Sequence, residues 1–219
     1  MRRKVATPRS LTTHEKRWDD DFNRCVEFHG HRCPGLAMGY RAARVLMDRL
    51  DVKRAPDEEL VAIVETDACG ADAIQVMTGC TFGKGNFIFR DYGKHAFALM
   101  ERNRKKAVRV CLLPNALKID SKQFSLFEKV RQAQATAEEM DQYKRFQQRR
   151  TRDILEARPE SLFKIEDVSF GIPSKAVIIA SELCDVCGES TQVDLLHEIH
   201  GQKVCRTCAQ QRGWEWLPQ

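Results

Sequence analysis

No run of apolar residues in this 219-residue chain approaches the roughly 18 needed to cross a bilayer, which excludes a transmembrane helix. The opening MRRKVATPRSLTTHEKRW is basic but has no apolar stretch of the kind a secretory signal requires, so a cytoplasmic protein without membrane contact is expected. Internal repeats and low-complexity tracts are also missing, so the chain is not built by repetition. Charge is not strongly of one sign. The net +5 permits contact with nucleic acid but does not argue for it. A nucleotide-binding P-loop is lacking as well. In GCTFGKGN three residues separate Gly79 from Gly83, and Gly85 stands where Ser or Thr would meet magnesium. Lys84 of that loop stays a candidate for holding an anion.

Cysteine, by contrast, is abundant. Nine cysteines in a cytoplasmic protein point to metal binding or catalysis more than to disulfides. Four of them, Cys184, Cys187, Cys205 and Cys208, form a C-x2-C-x17-C-x2-C pattern. Two thiolates on each tight knuckle can converge on one tetrahedral zinc ion, and Gly188 lets the backbone turn around it. A unit this small has little core, so the ion is expected to supply much of its stability. Four thiolates close the site, so His197 and His200 are not expected as ligands. Such a ribbon suits a protein partner, the mate of a dimer, or nucleic acid.

The other concentration of chemistry is Phe28–Gly35, FHGHRCPG, which sets His29, His31 and Cys33 within five residues. Trp18, Phe22, Cys25 and Val26 predict an amphipathic helix over 14–28 leading into it, with Cys25 a buried structural thiol. Pro34 suits the first position of a second helix, over about 34–50, whose apolar side is Leu36, Tyr40, Ala43 and Leu46. Cys33 then falls at the N-cap, where the helix dipole favours a thiolate. The strand LVAIVETD runs into Cys69, followed by a short helix stopped at Gly79, and Cys80 comes next. Cys33, Cys69 and Cys80 thus all lie at ends of regular elements, where binding residues concentrate.

Further strands are expected at 86–90, 96–101 and 107–113, with Cys111 a buried, inert thiol and Asp91, Lys94 and His95 on a turn. Two charged helices follow over 125–157. Their basic cluster KRFQQRRTR (144–152) reads first as a solvated face. Strand character resumes from LFKIEDV through AVIIASEL. The whole predicts an α+β fold, a mixed or antiparallel sheet packed with helices, as a core domain over 1–180 (1–13 flexible) and a zinc ribbon over 181–219.

The segments FHGHRCPGLAMGYRAARVL, ETDACGADAIQVMTGCTFGKGNFIFRDYGK and ILEARPESLFKI together resemble the FmdE-like family, named after a component of formylmethanofuran dehydrogenase. The similarity spans about 14–180, and a ribbon is a common fusion in that family. The ribbon segment also resembles the fingers of DksA/TraR-type regulators. The resemblance implies an α+β core, often an intertwined homodimer, with a cysteine-lined pocket onto which His31, Cys33, Cys69, Cys80 and Lys84 map. It also implies a role near the tungsten or molybdenum enzyme of formylmethanofuran metabolism, without implying that this polypeptide carries the reaction.

Three functional readings follow. In the first, His29 or His31 with Cys33, Cys69 and Cys80 holds a second transition metal (zinc, iron or nickel) in an accessory or redox protein, with Asp72 and Lys84 in support. In the second, Cys33 is the nucleophile of a cysteine-dependent enzyme, His31 its base, and Asp72 or Asp91 the orienting group. In the third, a regulator senses metal or thiol at the front site and reaches nucleic acid or polymerase through its ribbon.

Overall fold

The computed structural model describes residues 13–169, 171 and 173–216, with side chains in the first helix from Asp20 onward. The flexible lead expected over 1–13 therefore lies outside the described residues, apart from Thr13, as does the side chain of Trp18. The chain divides into two compact units, Met1–Lys175 and Ala176–Gln219.

In the first unit, α1 (Thr13–His29) delivers the chain to α2 (Pro34–Leu50). Leu36, Tyr40, Ala43, Leu46 and Leu50 of α2 are buried, and Phe22 and Cys25 of α1 pack into the same core. Phe22 meets Tyr40 with ring centroids 5.4 Å apart. Burial pushes the Cys25 thiol up to about 12, so it is an inert core group. Next come β1 (Leu60–Val64), α3 (Gly70–Thr78) and β2 (Phe87–Phe89), with β2 parallel to β1 across the helical crossover. β3 (Ala96–Glu101) and β4 (Lys106–Leu112) extend the sheet antiparallel, and β5 (Phe163–Val168) closes it.

The five strands lie in the order β2-β1-β3-β4-β5, so the sheet is mixed and the fold α+β. Strand periodicity of two divides its apolar residues between faces. Leu60, Ala62, Val64, Phe97, Leu99, Val108 and Val110 join the core of α2 and α3, while Val61, Ile63, Ala98, Met100 and Ala107 form a smaller cluster. Glu65, at the end of β1, accepts two bonds from Arg109 of β4, at 2.6 and 2.9 Å. That bidentate pairing, the first cause, holds the Glu65 carboxyl below its ordinary value.

Two glycines fix how α2 and α3 pack. A Cβ on Gly39 would stand 2.3 Å from both the Cα and the carbonyl oxygen of Gly70. No other residue leaves room for this crossing, which brings the N-terminal ends of both helices together. Gly79 ends α3 in the left-handed region (φ 78°), and a Cβ there would meet the Ala55 carbonyl oxygen at 2.3 Å.

Beyond β4, α4 (Ser121–Arg131) and α5 (Ala137–Glu156) form a helical hairpin. Each opens on a reciprocal capping box, Asp120 with Gln123 and Thr136 with Glu139. The first box explains why α4 starts earlier than its apolar residues predict. α4 has no buried residue, and α5 buries Thr151 and Ile154 near its end. There the buried Arg41 of α2 donates to the carbonyls of Leu155 and Ala157, the latter at 2.7 Å, capping the end of α5. A short α6 (Pro159–Leu162) leads into β5. Strand character does not continue through 177–178 as expected: Val177 and Ile178 are in no ladder and are exposed.

The second unit holds β6 (Ser181–Leu183) paired with β7 (Ser190–Gln192), β8 (Leu196–Ile199) paired with β9 (Gln202–Cys205), and α7 (Arg206–Gln211). Its small core is Val204, Ala209 and three of the four cysteines, with Trp214 and Trp216 against them.

Candidate metal centres

Residues 29–33 cross from the end of α1 to the start of α2. Gly30 takes φ 91° and turns the chain. Cys33 is the N-cap of α2, extended at φ −147° and ψ 164°, and its Sγ accepts the Leu36 N–H at 3.3 Å. From α3, Asp72 reaches His29, with Oδ2 2.7 Å from Nδ1. The other ring nitrogen, Nε2, then faces Cys33 Sγ at 3.9 Å. His31 completes the group, its ring centroid 4.4 Å from that of His29. One donor atom from each of His29, His31 and Cys33 lies within 4.8 Å of the others.

This geometry fits a metal. On one tetrahedral ion an imidazole nitrogen and a thiolate sulfur stand about 3.5 Å apart. A carboxylate on the far nitrogen of a ligating histidine fixes its tautomer and orientation, and Asp72 is placed to do that. Three donors leave a fourth position open. The protein's own groups do not favour the Cys33 thiolate expected at a helix end. Burial pushes the thiol up and Cys69 adds to it, while the Leu36 N–H works the other way.

The remaining sequence candidates are dispersed. Cys69, the N-cap of α3, lies beside Cys33 but outside the group of three. Its Cβ would be 3.3 Å from a Cβ on Gly35. Cys80 is fully buried in the core, with its N–H donated to Thr78 Oγ1 at 3.1 Å, and burial raises its thiol. Lys84 donates to the Asp57 carbonyl at 3.1 Å, outside the His29 group. Asp91 is exposed beyond β2, and Cys111 is half-buried rather than buried. The histidine that Asp72 orients is His29, not His31. Sequence spacing pairs neighbours along the chain, whereas this contact joins residues 43 apart.

In the second unit one Sγ from each of Cys184, Cys187, Cys205 and Cys208 lies within 4.8 Å of the others. Cys187 and Cys205 are 3.9 Å apart, near the ligand separation of about 3.8 Å on a tetrahedral zinc. The Cys205 N–H points at Cys184 Sγ at 3.3 Å, as such knuckles require, and Gly188 turns at φ 73° with its N–H on the Cys184 carbonyl. His197 and His200 instead meet Trp216 and Trp214, at 3.9 and 5.0 Å between ring centroids.

The chain is similar to known proteins. A probable S-adenosyl-L-methionine-binding protein of Archaeoglobus fulgidus is 36% identical over 193 residues, 85% of this chain. The chain spans about half (51%) of that relative's length. The crystal structure of a tungsten formylmethanofuran dehydrogenase FmdE-like protein from Syntrophus aciditrophicus matches with a TM-score of 0.58. That match covers 91% of this chain and 95% of the other at 22% identity, a likeness of fold. Residues 28–164, which run from Phe28 of the histidine turn into β5, match the family described as FmdE, Molybdenum formylmethanofuran dehydrogenase operon. This chain belongs to the FmdE family.

Proposed function

We propose that this protein binds two metal ions, a structural zinc in the ribbon and a transition metal held by His29, His31 and Cys33. The observation that carries the second ion is His29, with Nδ1 fixed by Asp72 at 2.7 Å and Nε2 turned to Cys33. Imidazole with thiolate is a donor set for zinc, iron or nickel. The open fourth position distinguishes this site from the closed four-cysteine one and suits a ligand-binding or redox role. The family description and the Syntrophus structure support an accessory role beside a tungsten or molybdenum formylmethanofuran dehydrogenase-type system.

The order Asp72–His29–Cys33 also supports a second reading, in which Cys33 is a nucleophile and His29 takes its proton. Metal content per chain in anaerobically purified protein separates the two. Two equivalents in wild type and one in Cys33→Ser support the metal site. One equivalent in both, with Cys33 alkylated by iodoacetamide in wild type, overturns it in favour of the nucleophile. The Archaeoglobus relative's name adds a candidate ligand. A cleft of about 460 Å³ bordered by Arg24, Phe28, Arg54 and Gln75, with Phe28 adjoining His29 in sequence, could receive its carboxylate and ring. Titration of S-adenosyl-L-methionine into the metal-loaded protein by calorimetry would show saturable heat, and none would remove that ligand.

A further inference from the structure

We infer that the trough between α4 and α5 binds a single strand of nucleic acid. Two cavities, about 630 and 420 Å³, adjoin here and share Gln123, Phe146 and Arg149; the first lies between α4 and α5, and the second continues along α5 against residues 115–118 and α6. Together they follow α5 from Glu139 to Asp153, about 21 Å at 1.5 Å per residue, a span longer than one small ligand.

Its lining is strongly cationic, with Lys118, Lys122, Lys129, Arg145, Arg149 and Arg150 against the carboxylates of Glu139 and Asp153. Lys129 is paired with Glu139, Arg145 with Asp141, and Arg150 donates to the Leu117 carbonyl. Lys118, Lys122 and Arg149 make no ion pair among the described residues. Among the described residues these three charges are unmatched. Phe146, at the junction of the two cavities, adds an aromatic wall with the Arg150 guanidinium 5.9 Å from its centroid. Unmatched cations along a groove with an aromatic among them are the features that track a phosphate backbone and stack a base. A duplex about 20 Å wide does not enter a trough between two packed helices, which favours a single strand.

The test uses the full zinc-loaded chain and a fluorescein-labelled 20-mer of deoxythymidine, followed by fluorescence anisotropy against salt. With three unmatched cations engaged, log K should fall with log salt at a slope of about −2, and Lys122→Gln/Arg149→Gln should reduce it to about −0.7. The same double variant should weaken binding about tenfold or more at 50 mM salt. Phe146→Ala should weaken the oligonucleotide but not inorganic polyphosphate. Both variants change solvent-facing or groove-lining side chains, and circular dichroism of each checks that it folds. Three results would each overturn the inference: no binding by wild type at low salt, binding that survives the double variant, or equal loss of both probes in Phe146→Ala. A double variant that alters sedimentation mass rather than anisotropy would instead assign the trough to a contact between copies of the chain.

Discussion

Replacing Gly39 by alanine should disturb both the fold and the candidate metal centre. The added Cβ would meet two backbone atoms of Gly70 at 2.3 Å, and backbone cannot step aside as a flexible side chain can. Restoring ordinary contact at about 3.4 Å requires α2 and α3 to separate by about 1 Å. Overpacking of this kind costs about 1–3 kcal/mol, and a clash against backbone on both sides belongs at the upper end. For a chain of this size about 3 kcal/mol lowers Tm by roughly 6–12 °C. The same separation draws Asp72, on α3, away from His29. Their 2.7 Å contact would approach 3.7 Å, beyond hydrogen-bond range. Gly39→Ala should therefore melt early and also hold the core metal more weakly. Calorimetric melting together with metal content reads both, and Gly83→Ala, which meets nothing within 4 Å, is the control and should shift Tm by less than about 1 °C. A Gly39→Ala protein that melts within 2 °C of wild type with full metal content would refute the reasoning.

Asp72→Asn should keep the fold and lower core-metal affinity about 10- to 100-fold, measured by competition with a chromophoric chelator; unchanged affinity would remove Asp72 from the site. Cys184→Ser should release one equivalent of zinc and abolish dispersed amide signals for residues 181–216 while those of the first unit persist, read by nuclear magnetic resonance. Glu65→Gln breaks the bidentate bond to Arg109 and should cost about 1–3 kcal/mol at pH 7 in guanidinium unfolding. Because the folded carboxyl lies below its unfolded value, its contribution is fully present above about pH 5 and is lost as pH falls through the folded value. The gap between wild type and Glu65→Gln should accordingly close in acid, and a constant gap from pH 7 to pH 2.5 would contradict the assignment.

Elements with local signatures were legible in the sequence. Pro34 at N1 and the buried Leu36, Tyr40, Ala43 and Leu46 make α2 readable without coordinates, as do the C-x2-C knuckles of the ribbon. The α4 start was obscured because its signal is the polar pair Asp120 and Gln123, not an apolar periodicity. Val177 and Ile178 look like strand, but strand also needs a neighbouring edge, which sequence does not supply. At the site, proximity in sequence brought His29, His31 and Cys33 to notice. The contact from Asp72 to His29 depends on the glycine crossing of α2 and α3, a long-range packing event with no periodic trace. Cys80, equally prominent in sequence, is withdrawn by burial, because the loop that carries it closes over the main core.

The Arg41 contact with the end of α5 gives the helical hairpin the mechanics of a cantilever. α4 has no buried residue, and the arm is attached near the end of α5, by Thr151, Ile154, the Arg150 bond to the Leu117 carbonyl and the two carbonyls that Arg41 holds. Arg41 sits eight residues, about 12 Å along α2, from Cys33 at the cap of the same helix. The end of the arm is therefore tied to the same helix whose N-cap is Cys33. The trough and the metal site, far apart in sequence, are thus joined through one helix, α2, whose Arg41 holds α5 and whose N-cap is Cys33.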